Sequence, residues 1–164
     1  MRSKRKQLSL HLLDSVFMRD TTSVRDLIEQ GADVNTKDSE HEHTPLMLAV
    51  KFAGVDMVQL LLESGAGVDA RDDWGRTALF YAPVASEVFG VLLRAGADVH
   101  ARDKEGNTIL MRTVSKSAPL AEVQELLRLG VDPGVQNKDE ETALDLAESL
   151  GLVTVVDRLR SQAG

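Results

Sequence analysis

The 164-residue chain contains no cysteine. Disulfides, a thiolate zinc site and a cysteine nucleophile are therefore excluded together, and the redox compartment stays undecided. Aromatic residues are scarce, at 4% with one Trp and one Tyr, so Leu, Val and Ala must fill the core, which suits closely stacked helices. No stretch approaches the ~20 apolar residues of a membrane-spanning helix. The segment Leu8-Ser9-Leu10-His11-Leu12-Leu13 is too short and too polar for a signal peptide. A basic majority is missing too: the formal net charge is -7, whereas duplex-binding domains show a clustered basic face. The exception is Met1-Arg2-Ser3-Lys4-Arg5-Lys6, read as part of a basic, solvated, disordered tail over residues 1–7. These absences predict a cytoplasmic protein with no nucleic-acid, membrane or small-molecule partner. At 43% hydrophobic and 27% charged residues, the chain reads as soluble and folded.

An internal repeat dominates what is present. Four segments end in a similar helix and glycine, at Gly31, Gly65, Gly96 and Gly130. A short extended piece follows each, as in Ala32-Asp33-Val34-Asn35 and Ala97-Asp98-Val99-His100. A turn then leads to a new helix opening with Thr44, Thr77, Thr108 or Thr142. Both sets recur at intervals of roughly 30–35 residues, the period of a repeat architecture.

Local chemistry agrees with that period. The four glycines suit the left-handed residue that ends a helix. Thr44 before Pro45 reads as an N-cap followed by proline at the first helical position, where no amide hydrogen is missed. Apolar residues fall at helical spacing: Leu46, Ala49 and Val50 on one helix, Val55, Val58, Leu61 and Leu62 on its partner. A unit of this size cannot bury its own apolar face, so the units must stack.

These residues resemble the ankyrin repeat. Its pattern of Asp, two variable residues, Gly, one variable residue and Thr-Pro-Leu-His-x-Ala is met by Asp72-Asp73-Trp74-Gly75-Arg76-Thr77-Ala78-Leu79-Phe80-Tyr81-Ala82, and again from Asp103 to Met111. The element Gly-Ala-Asp-Val-Asn stands intact at Gly31 to Asn35. The resemblance runs from about residue 8 to 161 and implies an all-α solenoid of stacked helix-turn-helix units with short β-turn fingers. Five units, about 8–37, 38–71, 72–102, 103–136 and 137–164, form a single domain over 8–164. The first lacks the Thr-Pro-Leu opening, and the last places Arg158, Arg160 and Ser161 in its outer helix, as terminal caps do. The expectation is a complete small protein.

Three irregularities interrupt the repeat. The second unit's turn, Asp38-Ser39-Glu40-His41-Glu42-His43, is one residue longer than its counterparts and lacks the glycine. The third unit is shortened, with Pro83 soon after Thr77, so its inner helix should end early. The fourth has an extra residue around Ser115-Lys116-Ser117-Ala118-Pro119. All three sit on turns or helix ends near the expected binding face.

Catalytic chemistry finds little footing. His41-Glu42-His43, with His11 and His100 elsewhere, falls short of a zinc ligand set; solvated turn histidines are expected and no metal. Asp72-Asp73 and Asp139-Glu140-Glu141 are expected in exposed turns, not in the pocket that acid–base catalysis needs. No phosphate-binding glycine loop or nucleophile elbow is present, and Gly65-Ala66-Gly67 ends a helix instead of starting one. The expectation is a protein that is not an enzyme and uses no cofactor.

The family resemblance implies protein binding through the concave face, by turn tips and the exposed side of the inner helices. Carried over by position, the tips are His43, Asp73, Trp74, Arg76, Lys104, Glu105 and Asn107, and the inner-helix ends offer Lys51, Phe52, Ser115 and Lys116. In the last unit Lys138, Asp139 and Glu141 correspond, with Glu140 in the glycine's place. Lys37, Arg71 and Arg102 should sit beside the acidic turns. Trp74 is the strongest candidate, because tryptophan near arginine has the composition of an interface hot spot; packing back over the adjacent turn is the alternative. Phe80 and Met111 replace the family's helix histidine and are expected between units, partly exposed. The leading reading is a non-catalytic protein-binding module. A second is an inhibitor or immunity-type protein that covers a partner enzyme's active site.

Overall fold

The computed structural model of the chain describes residues 2–162. It gathers into two compact units, Met1–Ala97 and Asp98–Gly164, the division falling just before the expected end of the third repeat.

In the first unit, α1 (Arg2–Phe17) packs on α2 (Thr21–Glu29) and on α3 (Pro45–Leu48). The early start of α1 corrects the expected disordered tail, since residues 2–7 are helical; Met1 lies outside the described residues. Lys, Arg and Gln are good helix formers, and extending a helix already anchored by buried Leu12 and Val16 costs little per residue. Thr44 caps α3, its hydroxyl accepting from Met47 N at 3.3 Å, with Pro45 at the first position as expected. The helix then widens into a π-helical turn, Ala49–Ala53, and stops at Gly54. That turn carries Lys51 and Phe52. α4 (Val55–Glu63) follows. The third inner helix is reduced to one 3-10 turn, Ala78–Tyr81, because Pro83 lacks the N–H to continue it. α5 (Glu87–Arg94) then packs on α4 and on that turn.

The second unit holds α6 (Ile109–Ser115), α7 (Leu120–Arg128), α8 (Ala143–Ser149) and α9 (Val153–Arg160). α6 packs on α7 and α8, and α9 on α7 and α8. Thr108 and Thr142 cap α6 and α8 by the same hydroxyl-to-amide bond. Arg158 and Arg160 lie in α9 with Ser161 at its end, and Arg160 pairs with Glu148 at 2.8 Å. Among the described residues the only β pairing is an isolated bridge between Arg102 and Thr108.

Leu12, Leu46, Met57, Leu61, Leu79 and Leu92 fill the first core, and Ile109, Leu110 and Leu126 the second. Phe80 and Met111, expected to be partly exposed, are each 1% accessible. With so few rings in the chain, both are drawn wholly inward; full burial of such a side chain stabilises by ~1.5–3 kcal/mol.

Candidate functional site

Each finger is closed by one side chain at its base. Asp72 Oδ1 accepts from the backbone N–H of Trp74 at 2.8 Å and of Arg76 at 2.9 Å. Asp103 Oδ1 does the same for Glu105 and Asn107, and Asn137 Oδ1 for Asp139 and Glu141. Backbone bonds seal the bases, Asp72 N to Arg76 O, Asp103 N to Asn107 O and Asn137 N to Glu141 O. The longer second finger keeps this plan. Asp38 Oδ1 accepts from Glu40 and His41, Asp38 N reaches His43 O, and Glu42 takes a left-handed φ of 56° in place of glycine. Glu140 likewise stands in for glycine at φ 63°.

Asp72, expected on an exposed turn, is 4% accessible. A carboxylate can be buried there because backbone amides and a phenol satisfy it. Its Oδ2 accepts a short hydrogen bond from the Tyr81 hydroxyl. Burial, and then this bond, push the Tyr81 phenol up to about 12.

His43 is likewise turned inward, at 3% accessible, against the expectation of a solvated tip. Its Nδ1 lies 3.2 Å from Asp38 Oδ2, and its Nε2 lies 3.3 Å from Tyr81 Oη and 3.5 Å from Lys51 Nζ. Since the Tyr81 proton goes to Asp72, neutral His43 satisfies this geometry by donating from Nδ1 to Asp38 and accepting from Lys51 at Nε2. Burial and the Lys51 ammonium hold the imidazole below its ordinary pKa, with Asp38 and Asp72 opposing. Burial alone would raise Asp38, but amide bonds and the neighbouring histidine bring it below the usual carboxylate range. His43 thus has both ring nitrogens facing partners within the fold. His41 meets it edge-on, ring centroids 5.4 Å apart, and no group of three or more His, Asp or Glu side chains converges on a metal site among the described residues.

Trp74 combines the two alternatives raised by its sequence position. Its ring leans on His41 of the preceding finger, centroids 4.6 Å apart, yet stays 40% exposed with the Arg76 guanidinium 5.5 Å from its centroid. Asp73 is exposed beside it, and its N–H donates to His41 O at 3.0 Å, fastening the third finger to the second. Lys51 is exposed, with its ammonium 4.8 Å from the Tyr81 ring centroid. Phe52 is 38% exposed and meets Phe17 edge-on at 5.3 Å. A groove of about 450 Å³ opens here, lined by Leu13, Asp14 and Phe17 of α1, by the second finger, and by Lys51 and Phe52.

In the second unit Lys104 and Glu105 are exposed at one finger tip. Asn107 is half-buried and turned toward Asp103 and Asn137 instead of outward. Ser115 and Lys116 are exposed at the end of α6, the Ser115 hydroxyl donating to Met111 O at 2.9 Å. Arg71 Nη1 and Arg102 Nε donate to the turn carbonyls of Gly75 and Gly106, and Lys37 pairs with Glu42 at 2.9 Å. Lys37 and Arg71 brace their own turns, and Arg102 also donates from Nη2 to Gln136 O of the following repeat.

Sequence reasoning did not single out Phe17, Asp14 or Tyr81 as site residues, and named Glu40 only within the lengthened turn. Phe17 had a legible signal: it lies four residues past Leu13, one helical turn along the same face.

Comparison with known proteins completes the picture. Descriptions of ankyrin repeats match residues 12–103 (three copies) and 92–147 (many copies). The chain is 40% identical to the Neurogenic locus Notch protein of Drosophila melanogaster over 42% of its length, spanning 2% of that protein. It is 39% identical to human Ankyrin repeat and SOCS box protein 6 over 48% of its length, spanning 18% of that protein. A Putative ankyrin repeat protein of fowlpox virus, FPV031, is 32% identical over 84% of this chain, which spans 43% of the viral protein. The chain thus covers less than half the length of each of these relatives. No helix among the described residues is long and apolar enough to cross a membrane.

Proposed function

The chain belongs to the ankyrin-repeat family, and from that membership we propose that it is a non-catalytic module binding a partner protein through its finger tips and the exposed ends of its inner helices. Ankyrin repeats are in general protein–protein interaction modules. The observation that carries the reading is the exposed Trp74 ring of the first unit, with the half-buried Arg76 beside it, on a finger pinned to its neighbour. Pinning matters because a preordered side chain loses little freedom on binding. Tryptophan and arginine are the side chains most enriched among residues that dominate interface energies. Polar groups that resemble catalytic residues, Asp72 and His43, are consumed by hydrogen bonds inside the fold. A cytoplasmic setting belongs to the same proposal.

The test is capture of partners by tagged wild type and by Trp74→Ala/Arg76→Ala, followed by affinity measurement on the partner recovered. Loss of about 2 kcal/mol, some thirtyfold in affinity, is expected for the double variant. Equal affinity would reject this placement of the hot spot. Adding the chain to a captured enzyme separates scaffolding, with turnover unchanged, from inhibition.

A further inference from the structure

The groove between α1, the second finger and the π-helical turn has a lopsided chemistry. Asp14, Asp38 and Glu40 bring three carboxylates to its wall. Asp38 is committed to His43 and to backbone amides, whereas among the described residues no hydrogen bond or ion pair engages the exposed Asp14 and Glu40 side chains. Lys51, the one Lys or Arg lining it among the described residues, lies against rings, 5.4 Å from the Phe52 centroid and 4.8 Å from that of Tyr81, and donates toward His43. One cation stands against three carboxylates, which leaves the groove acidic. The floor is aromatic and open, with Phe17 56% and Phe52 38% exposed.

An exposed apolar pair with uncompensated carboxylates beside it suits one kind of side chain, a cation carried on an apolar stem. The ring faces attract a cation, arginine above all, and the carboxylates offer it charge-assisted hydrogen bonds. An anionic ligand would meet repulsion at the wall, and a purely apolar one would leave the two acids beside a dry surface. A groove of about 450 Å³ is at the small end of the ~300–1,000 Å³ typical of ligand sites, so it holds one or two side chains. The chain's net charge of -7 adds long-range attraction for a basic partner.

We propose that this groove receives an arginine or lysine side chain, next to a leucine, methionine or phenylalanine, from an exposed basic segment of the partner protein. The inference rests on the protein-binding reading above and names the chemistry of what is bound.

The test is selection from a random-peptide display library on the full chain, then titration of a labelled synthetic copy of the most enriched peptide into wild type, Asp14→Asn/Glu40→Gln and Phe17→Ala. Enrichment of Arg or Lys beside a large apolar residue is expected. So is weakening of about tenfold or more in both variants, with affinity that falls as salt rises. Both acids are exposed, so an unchanged melting curve will certify the double variant's fold. Enrichment of acidic or uncharged peptides, no enrichment, or equal binding by Asp14→Asn/Glu40→Gln would overturn the proposal. Peptides that bind this variant normally but fail on Trp74→Ala/Arg76→Ala would sink the groove's assignment and leave the protein-binding reading standing.

Discussion

The Tyr81 hydroxyl donates to the buried carboxylate of Asp72, joining the shortened helical turn of the third repeat to the base of the finger before it. That one carboxylate also holds the Trp74 and Arg76 amides. The surface through which a partner is proposed to dock is thus shaped by a residue that never touches it.

Replacing Asp72 with alanine strands two amides and a phenol in a dry site. A loss of about 3 kcal/mol is expected in urea denaturation. Asp72→Asn keeps an oxygen for the amides and should cost only about 1 kcal/mol. Equal losses in the two variants would show that packing, and not the amide bonds, sets the cost.

Tyr81 is the only tyrosine, so its ionisation is read directly by phenolate absorbance. It should titrate at about 12 in wild type and markedly lower in Asp72→Asn. A phenol whose folded pKa is raised contributes stability that is whole below its ordinary value of 10.0. That contribution is lost as pH climbs toward 12. Phenolate forming in the native wild type near the ordinary value would contradict the buried bond.

His43 sets a second dependence at the acid end. Its folded pKa lies below the ordinary 6.5, so between the two values the unfolded chain holds the extra proton. Stability should therefore fall as pH drops through the window from about 7 downward. Protonation also sets an imidazolium against Lys51 and frees Nε2 to donate to Tyr81, so the Lys51 side chain is released. Denaturation midpoints over this window should slope less in His43→Gln than in wild type. Parallel slopes would assign the effect elsewhere. Asp38, depressed below its ordinary 3.8, adds a separate loss at still lower pH.

Two finger positions with the same backbone should respond oppositely to exchange. Glu140 holds φ 63°, costly for a side chain, so Glu140→Gly is expected to stabilise by about 0.5–1 kcal/mol, part of the relief being offset by glycine's freedom when unfolded. Gly106 at φ 81° would bring a new Cβ within 3.0 Å of Arg102 Nη2 and 3.3 Å of Asn137 Cα. Gly106→Ala should lose about 1–2 kcal/mol. Thermal melts of both variants decide it.

The repeat, its caps and the truncated third helix were legible because they are written in local chemistry: a threonine before a helix, a glycine after it, a proline where one cannot continue. What the sequence concealed was the direction of short polar side chains. Asp72 and Asp73 are neighbours of one type, but one closes its finger from within while the other faces solvent. His43 was read as a tip because of its place in the turn, yet Asp38 and Lys51 engage its ring nitrogens and the Tyr81 ring, 38 residues later, packs edge-on against it, centroids 5.5 Å apart. The π-helical widening at Lys51 and Phe52 left no mark in composition. Exposure of Phe17 depends on which side of α1 its neighbours cover, a property of packing and not of periodicity alone.

The second finger accommodates its extra residue beyond the hydrogen bond from Asp38 N to His43 O, so the helices on either side never register the insertion. Such a crossbar separates what selection is free to vary from what it must keep. Tip length and tip composition become an exchangeable cassette, and new specificity can evolve, or be grafted, without renegotiating the scaffold beneath.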